Sequence, residues 1–209
     1  MNNRHDFLVV NDWARHSSWA HGFMRFYAGQ GIALFALLLV AGWWWARRSG
    51  DPRRMAVALW AGLATLIAVG INQPIVNSVQ EKRPYDAITG TFLLVKRSAD
   101  YSFPSDHTTM AGAVAAGLLL LSWRLGLLAV AAALFMAFAR VYVGAHYPGD
   151  VLAGLAVGAA VAVAGYYALV PLLIRVVTRL EQTPLRPLLS GRPDQATPHT
   201  RPNSPATAR

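Results

Sequence analysis

Two short segments of the chain concentrate the side chains able to move protons and bind anions. One is Tyr101-Ser102-Phe103-Pro104-Ser105-Asp106-His107; the other runs from Arg140 through His146 to Asp150. Each lies where a long apolar run meets a polar loop, and ionisable groups at a membrane boundary are costly enough to suggest function. Asp150 follows His146 by four residues. An aspartate at that spacing can accept a hydrogen bond from one imidazole nitrogen, which fixes the tautomer and leaves the other nitrogen as nucleophile or base. Pro148 and Gly149 are expected to break the helix between them and to set Asp150 at a helix cap. Ser105, just after Pro104, is expected to open a helix whose free N–H groups favour an anion. His107 in its first turn is placed to deliver a proton. Arg83 and Arg140 supply guanidinium forks that match phosphate geometry. Read singly, each has a plainer role: Asp150 as a cap, His146 and His107 as water-facing boundary residues, Arg83 and Arg140 as boundary cations.

The elements that must position these residues are apolar. The 209 residues are 55% apolar and 14% charged, which points to a polytopic membrane protein. There is no cysteine, so neither a disulfide nor a thiolate metal site arises. The net charge of +9 comes from basic residues in loops flanking apolar runs, which favours membrane topology over nucleic-acid binding. The expected fold is an all-α transmembrane helix bundle of about five spans. Those spans cover about 31–46, 55–76, 105–123, 125–142 and 150–174. Ala and Gly are dense in the last three, which predicts that they form the tight core. Residues 1–28 read as an interfacial amphipathic segment, with Asn11 or Asp12 as a helix cap and His16 and His21 solvated. No cleavable leader is expected before Gly29. Residues 29–176 then form the transmembrane domain, and 183–209 a disordered basic tail. Four arginines between 47 and 54, with Arg124, Arg175 and Arg179, place those ends in the cytoplasm and the histidine segments outside. Lys82, Arg83, Lys96 and Arg97 on the outward side depart from that rule, as an anion site would require.

Phe103-Pro104-Ser105-Asp106-His107 and Arg140…His146…Asp150 resemble the second and third signature motifs of the type 2 phosphatidic acid phosphatase superfamily. Lys82-Arg83-Pro84 resembles the end of the first, and the run from Ser98 to His107 is most similar to the undecaprenyl-diphosphatase branch. The resemblance implies a lipid phosphate or diphosphate phosphatase in a bacterial inner membrane, acting outside the cytoplasm without cofactor or metal. It implies His146 as nucleophile, Asp150 orienting it, and His107 as acid and then base. Arg83, Arg140 and Ser105 would bind the phosphate. Val76 stands where the first motif has lysine, Ala139 where the third has serine, and Asp106 where the second commonly has glycine. Lys82 or, in preference, Lys96 is the expected substitute for the missing lysine.

Alternatives remain at this level. The lipid could be phosphatidate or phosphatidylglycerophosphate, since the spans do not distinguish tails. A metal hydrolase using Asp106, His107, His146 and Asp150 is disfavoured by two neighbouring arginines. A non-catalytic transporter or scaffold is the reading from another class. The expected partners are the lipid substrate and membrane lipids, with oligomeric state open.

Overall fold

The computed structural model describes residues 3–191, and among them every regular element is helical. In chain order these are α1 (Asn3–His16), α2 (His21–Gln30), α3 (Ile32–Ser49), α4 (Pro52–Val79) and α5 (Pro84–Ala87). There follow α6 (Asp106–Leu121), α7 (Trp123–Tyr142), α8 (Pro148–Leu180) and α9 (Arg186–Leu189). By length and apolar content α4, α7 and α8 can each cross a bilayer, and α2 with α3, bent by 56°, are together apolar enough for a broken span or a re-entrant loop. The chain is a multi-pass membrane protein. The third expected span, α6, has only 16 residues, short of the roughly 20 that a bilayer requires. It is the central helix, packed by α4, α7 and α8.

Local sequence explains the boundaries. The Asp51 carboxylate accepts from Arg53 N at 2.9 Å and Pro52 occupies the first turn, so α4 starts sharply after the arginine-rich loop. The interior of the bundle is built from small residues. At Gly154 a side chain would collide with Thr108 and the Ser105 carbonyl, and at Gly158 with the backbone of Thr109 and Ala113. These two glycines let α8 lie directly on α6, the close approach that membrane helices use in place of a hydrophobic driving force. Trp60 packs further along α8 against Gly165 and donates its indole N–H to the Ala162 carbonyl at 2.8 Å.

Three expectations are corrected. Asn11 caps nothing: it lies inside α1, buried, with Nδ2 donating to Phe92 O at 2.7 Å and Oδ1 accepting from Phe92 N at 2.9 Å. An amide can satisfy both backbone groups of a loop residue at once, and that pairing outweighs its preference for a cap. Asp150 is the third residue of α8 rather than the N-cap itself, which is Tyr147, and caps the helix from there by accepting from Tyr147 N at 2.9 Å. The tail is not featureless from Thr183. Its helix α9 packs Leu189 into the core, and Arg47 Nε donates to Pro187 O at 2.6 Å. Residues 192–209, where most of the expected disorder falls, lie outside the described residues.

The glycine packing yields a test. Gly158→Ala should destabilise the protein by about 1–3 kcal/mol, lowering its melting temperature in detergent. Gly62→Ala, where a Cβ meets nothing within 4 Å, should not. Equal melting temperatures for the two variants would contradict this packing.

Candidate active site

The α4–α5, α5–α6 and α7–α8 connections gather at one end of the bundle, opposite the arginine-rich turns at 47–54 and Arg124. His146, in the α7–α8 loop, lies at the centre of this end and is only 2% exposed. Its Nδ1 is 2.9 Å from the Ser102 carbonyl, and its Nε2 is 3.0 Å from Arg83 Nη1 and 3.2 Å from Arg140 Nη2. A carbonyl can only accept and a guanidinium can only donate, so the partners assign the tautomer. Nδ1 carries the proton and Nε2 presents its lone pair to two guanidinium groups. Burial, opposed by the Asp150 contact and reinforced by Arg140 and Arg83, pushes the His146 imidazolium down to about 4.

Asp150 acts on His146 less directly than its spacing suggested. Its Oδ2 is 3.6 Å from Nδ1, beyond hydrogen-bonding distance, and accepts instead from Ser102 Oγ and from Tyr147 N at 2.9 Å. Ser102 therefore stands between them, its carbonyl on the imidazole and its hydroxyl on the carboxylate. Sequence reasoning missed it, although it lies within the Tyr101–His107 segment. The only signal was a third serine close to Ser98 and Ser105.

The two arginines are anchored differently. Arg83 is 5% exposed and donates to Ala145 O at 3.1 Å, to Asp100 O at 3.0 Å and to the Asp100 carboxylate at 2.9 Å. Partial burial acts to raise the Asp100 carboxyl, but the Ser98 hydrogen bond and the Arg83 charge outweigh it and hold the group below the usual range. Asp100 was also missed, having no spacing to any motif residue. Arg140 donates to Ala28 O at 3.2 Å, and its Nε has no hydrogen-bond partner.

His107 stands in the first turn of α6, close enough to Arg140, His146 and Arg83 to feel their charge. Ser105 is fully buried at the head of that helix, its N–H donating to Asp150 O at 3.2 Å and its hydroxyl without a hydrogen-bond partner. Asp106, where the motif commonly has glycine, accepts from Asn72 at 2.7 Å and Gln73 at 3.0 Å and so ties α6 to α4. The structure brings His146, His107, Asp150, Arg83, Arg140 and Ser105 to one end of the bundle. Lys82 and Lys96 lie outside this group: both are exposed, and neither hydrogen-bonds to the cluster. Val76 is buried on α4. Among the described residues no three acidic, histidine or cysteine side chains are grouped to hold a metal.

Residues 56–173 match the family model described as the PAP2 superfamily, more than half of the chain. The chain belongs to the PAP2 superfamily. It is 34% identical to the undecaprenyl-diphosphatase BcrC of Bacillus subtilis over 72% of this chain and 76% of that protein. It is 30% identical to the putative undecaprenyl-diphosphatase YbjG of Escherichia coli over 73% of this chain and 75% of that one. Its fold is similar to the crystal structure of Aquifex aeolicus LpxE, with a TM-score of 0.60, 23% identity, and coverage of 80% of this chain and 96% of that one. As a PAP2 protein the chain is a membrane phosphohydrolase, and its buried histidine cluster is the candidate for that chemistry.

The neutral state of His146 makes a measurable prediction. An exposed imidazole takes a proton near 6.5, whereas His146 takes one only near 4. The unfolded state therefore binds more protons at this group between those values, so the His146 contribution to stability is lost as pH drops from about 6.5 towards 4, against the opposite slope of the raised Glu81 carboxyl. The difference in melting temperature between wild type and His146→Gln in detergent should fall as pH drops through this range, because only wild type carries this contribution. An unchanged pH dependence in that variant would contradict the buried neutral imidazole.

Proposed function

We propose that this PAP2 protein removes the terminal phosphate of a polyprenyl diphosphate of the undecaprenyl type. The observation that carries the reading is the convergence of two guanidinium groups on the free Nε2 of a buried, neutral imidazole. A phosphoryl group placed there meets a nucleophile and two guanidinium groups together. Nε2 attacks phosphorus, the bond to the bridging oxygen breaks, and His107 protonates the departing lipid phosphate. His107 then takes a proton from water, which attacks the phosphohistidine and restores the imidazole with release of phosphate. Charge on the equatorial oxygens is met by Arg83, Arg140 and the free Ser105 hydroxyl, an arrangement of fixed donors that can contribute several kcal/mol. Lys82 and Lys96, on the exposed rim, are assigned the longer-range attraction of the anion.

The substrate class rests on similarity to the undecaprenyl-diphosphatases, which extends over about three quarters of each chain. Placement in the inner membrane, with this site outside the cytoplasm, rests on the arginines at the opposite end of the bundle.

Purified protein should release phosphate from undecaprenyl diphosphate faster than from phosphatidate or phosphatidylglycerophosphate, and should do so in excess chelator. His146→Ala should lower kcat by a factor on the order of 10³ or more while inserting and folding normally. Faster turnover of a glycerolipid would overturn the substrate class. Dependence on added metal, or activity surviving in His146→Ala, would overturn the mechanism.

A further inference from the structure

Asp150 is fully buried, and the contacts described so far use only one of its oxygens. Oδ2 accepts from Ser102 and Tyr147, whereas Oδ1 has neither an N–H nor a hydroxyl donor. The side chain that interacts with Asp150 from the loop beyond the end of α4 is another acid, Glu81. Glu81 is anchored to the same assembly through its backbone, since its carbonyl accepts from Ser102 N at 2.8 Å. It is thus linked to both residues that govern His146 Nδ1: bonded to Ser102 through the main chain, and within electrostatic reach of Asp150 through the side chain.

We infer that Glu81 is a positioning residue for the hydrolysis: as a carboxylic acid it donates to Asp150 Oδ1 and completes the grip that Asp150 and Ser102 keep on His146. Two neighbouring carboxylates resist being charged together, so the pair keeps one proton to a higher pH than a lone carboxyl would. Burial, and after it the charge of Asp150, pushes the Glu81 carboxyl up to about 7. The other charged or titratable groups of this neighbourhood are Tyr147, Arg4 from α1, His146, Arg83 and Arg140. Below about 7 the proton is present and Asp150 is held on both oxygens. As pH rises through that value the contact becomes a repulsion between two anions, and Asp150 is pushed away from Ser102. This inference rests on His146 being the nucleophile proposed above.

The test compares wild type, Glu81→Gln and Glu81→Ala. Glutamine keeps a donor toward Asp150 but cannot lose it, whereas alanine leaves a buried acceptor unpaired. At pH 6 Glu81→Gln should turn over undecaprenyl diphosphate within about twofold of wild type, and Glu81→Ala should lose roughly tenfold in kcat with little change in KM. Wild-type kcat should decline as pH rises through about 7, and Glu81→Gln should lack that decline. Infrared difference spectra of the same proteins should show a protonated carboxylic-acid carbonyl band in wild type at pH 6, absent from Glu81→Gln. That band supports the shared proton even if no lipid phosphate is hydrolysed, in which case the substrate reading alone fails. Its absence from wild type, Glu81→Gln as impaired at pH 6 as Glu81→Ala, or identical pH profiles for wild type and Glu81→Gln would each overturn the inference.

Discussion

Everything at the functional end of this protein follows from a buried imidazole facing two guanidinium groups. Cations this close to one another are unfavourable away from water, and Asp100, itself half in solvent, is the carboxylate paired with Arg83. Such an arrangement persists only if the surrounding structure enforces it. The carbonyls of Ala28, Ala145 and Asp100 and the side chain of Asp100 do so by fixing the directions of the arginine forks. Burial keeps His146 neutral, and the Ser102 carbonyl turns its lone pair toward the cations. A phosphate dianion is the kind of ligand that relieves this excess of positive charge.

The rest of the fold explains how loops from distant parts of the chain reach one point. Glycines on α8 allow its backbone to touch α6, so the first turns of both helices, with Ser105, His107 and Asp150, arrive side by side. Asp106 then pins α6 to α4, whose C-terminal end leads directly to Glu81 and Arg83. Helix α1 closes the assembly from outside, where Asn11 fastens the Phe92 backbone and Phe7 packs edge-on against Tyr147. Membrane helices gain little from burying apolar surface against one another. Close backbone contact and buried hydrogen bonds therefore carry much of the specificity here.

The sequence made the helical bundle legible because apolar run length and small-residue content report directly on lipid and on close packing. It also identified the six residues of the central cluster, because their types and order are preserved in a recognisable pattern. What it did not reveal depends on contacts between segments. Ser102 intervenes between His146 and Asp150 through a main-chain carbonyl, which any residue type possesses. Asp100 and Glu81 act through positions set by loop conformation, with no periodicity to mark them. The expectation that Lys96 supplies the missing charge assumed that its loop folds inward. The same loop instead presents Asp100 to Arg83 and leaves Lys96 in solvent. Asn11 was misread because amide side chains at helix starts are common, while one clamping a distant loop cannot be seen from neighbouring residues.

The central claim is that His146 Nε2 bonds to phosphorus during turnover. It is tested most directly by quenching His107→Asn protein in the course of reaction with terminally radiolabelled undecaprenyl diphosphate and mapping the label by peptide mass spectrometry. The variant lacks both the acid for the leaving group and the base for water, so label should arrive slowly and then persist, acid-labile and base-stable, on the peptide containing His146. Label on any other residue, or hydrolysis through this site with no phosphoenzyme at any quench time, would contradict the account.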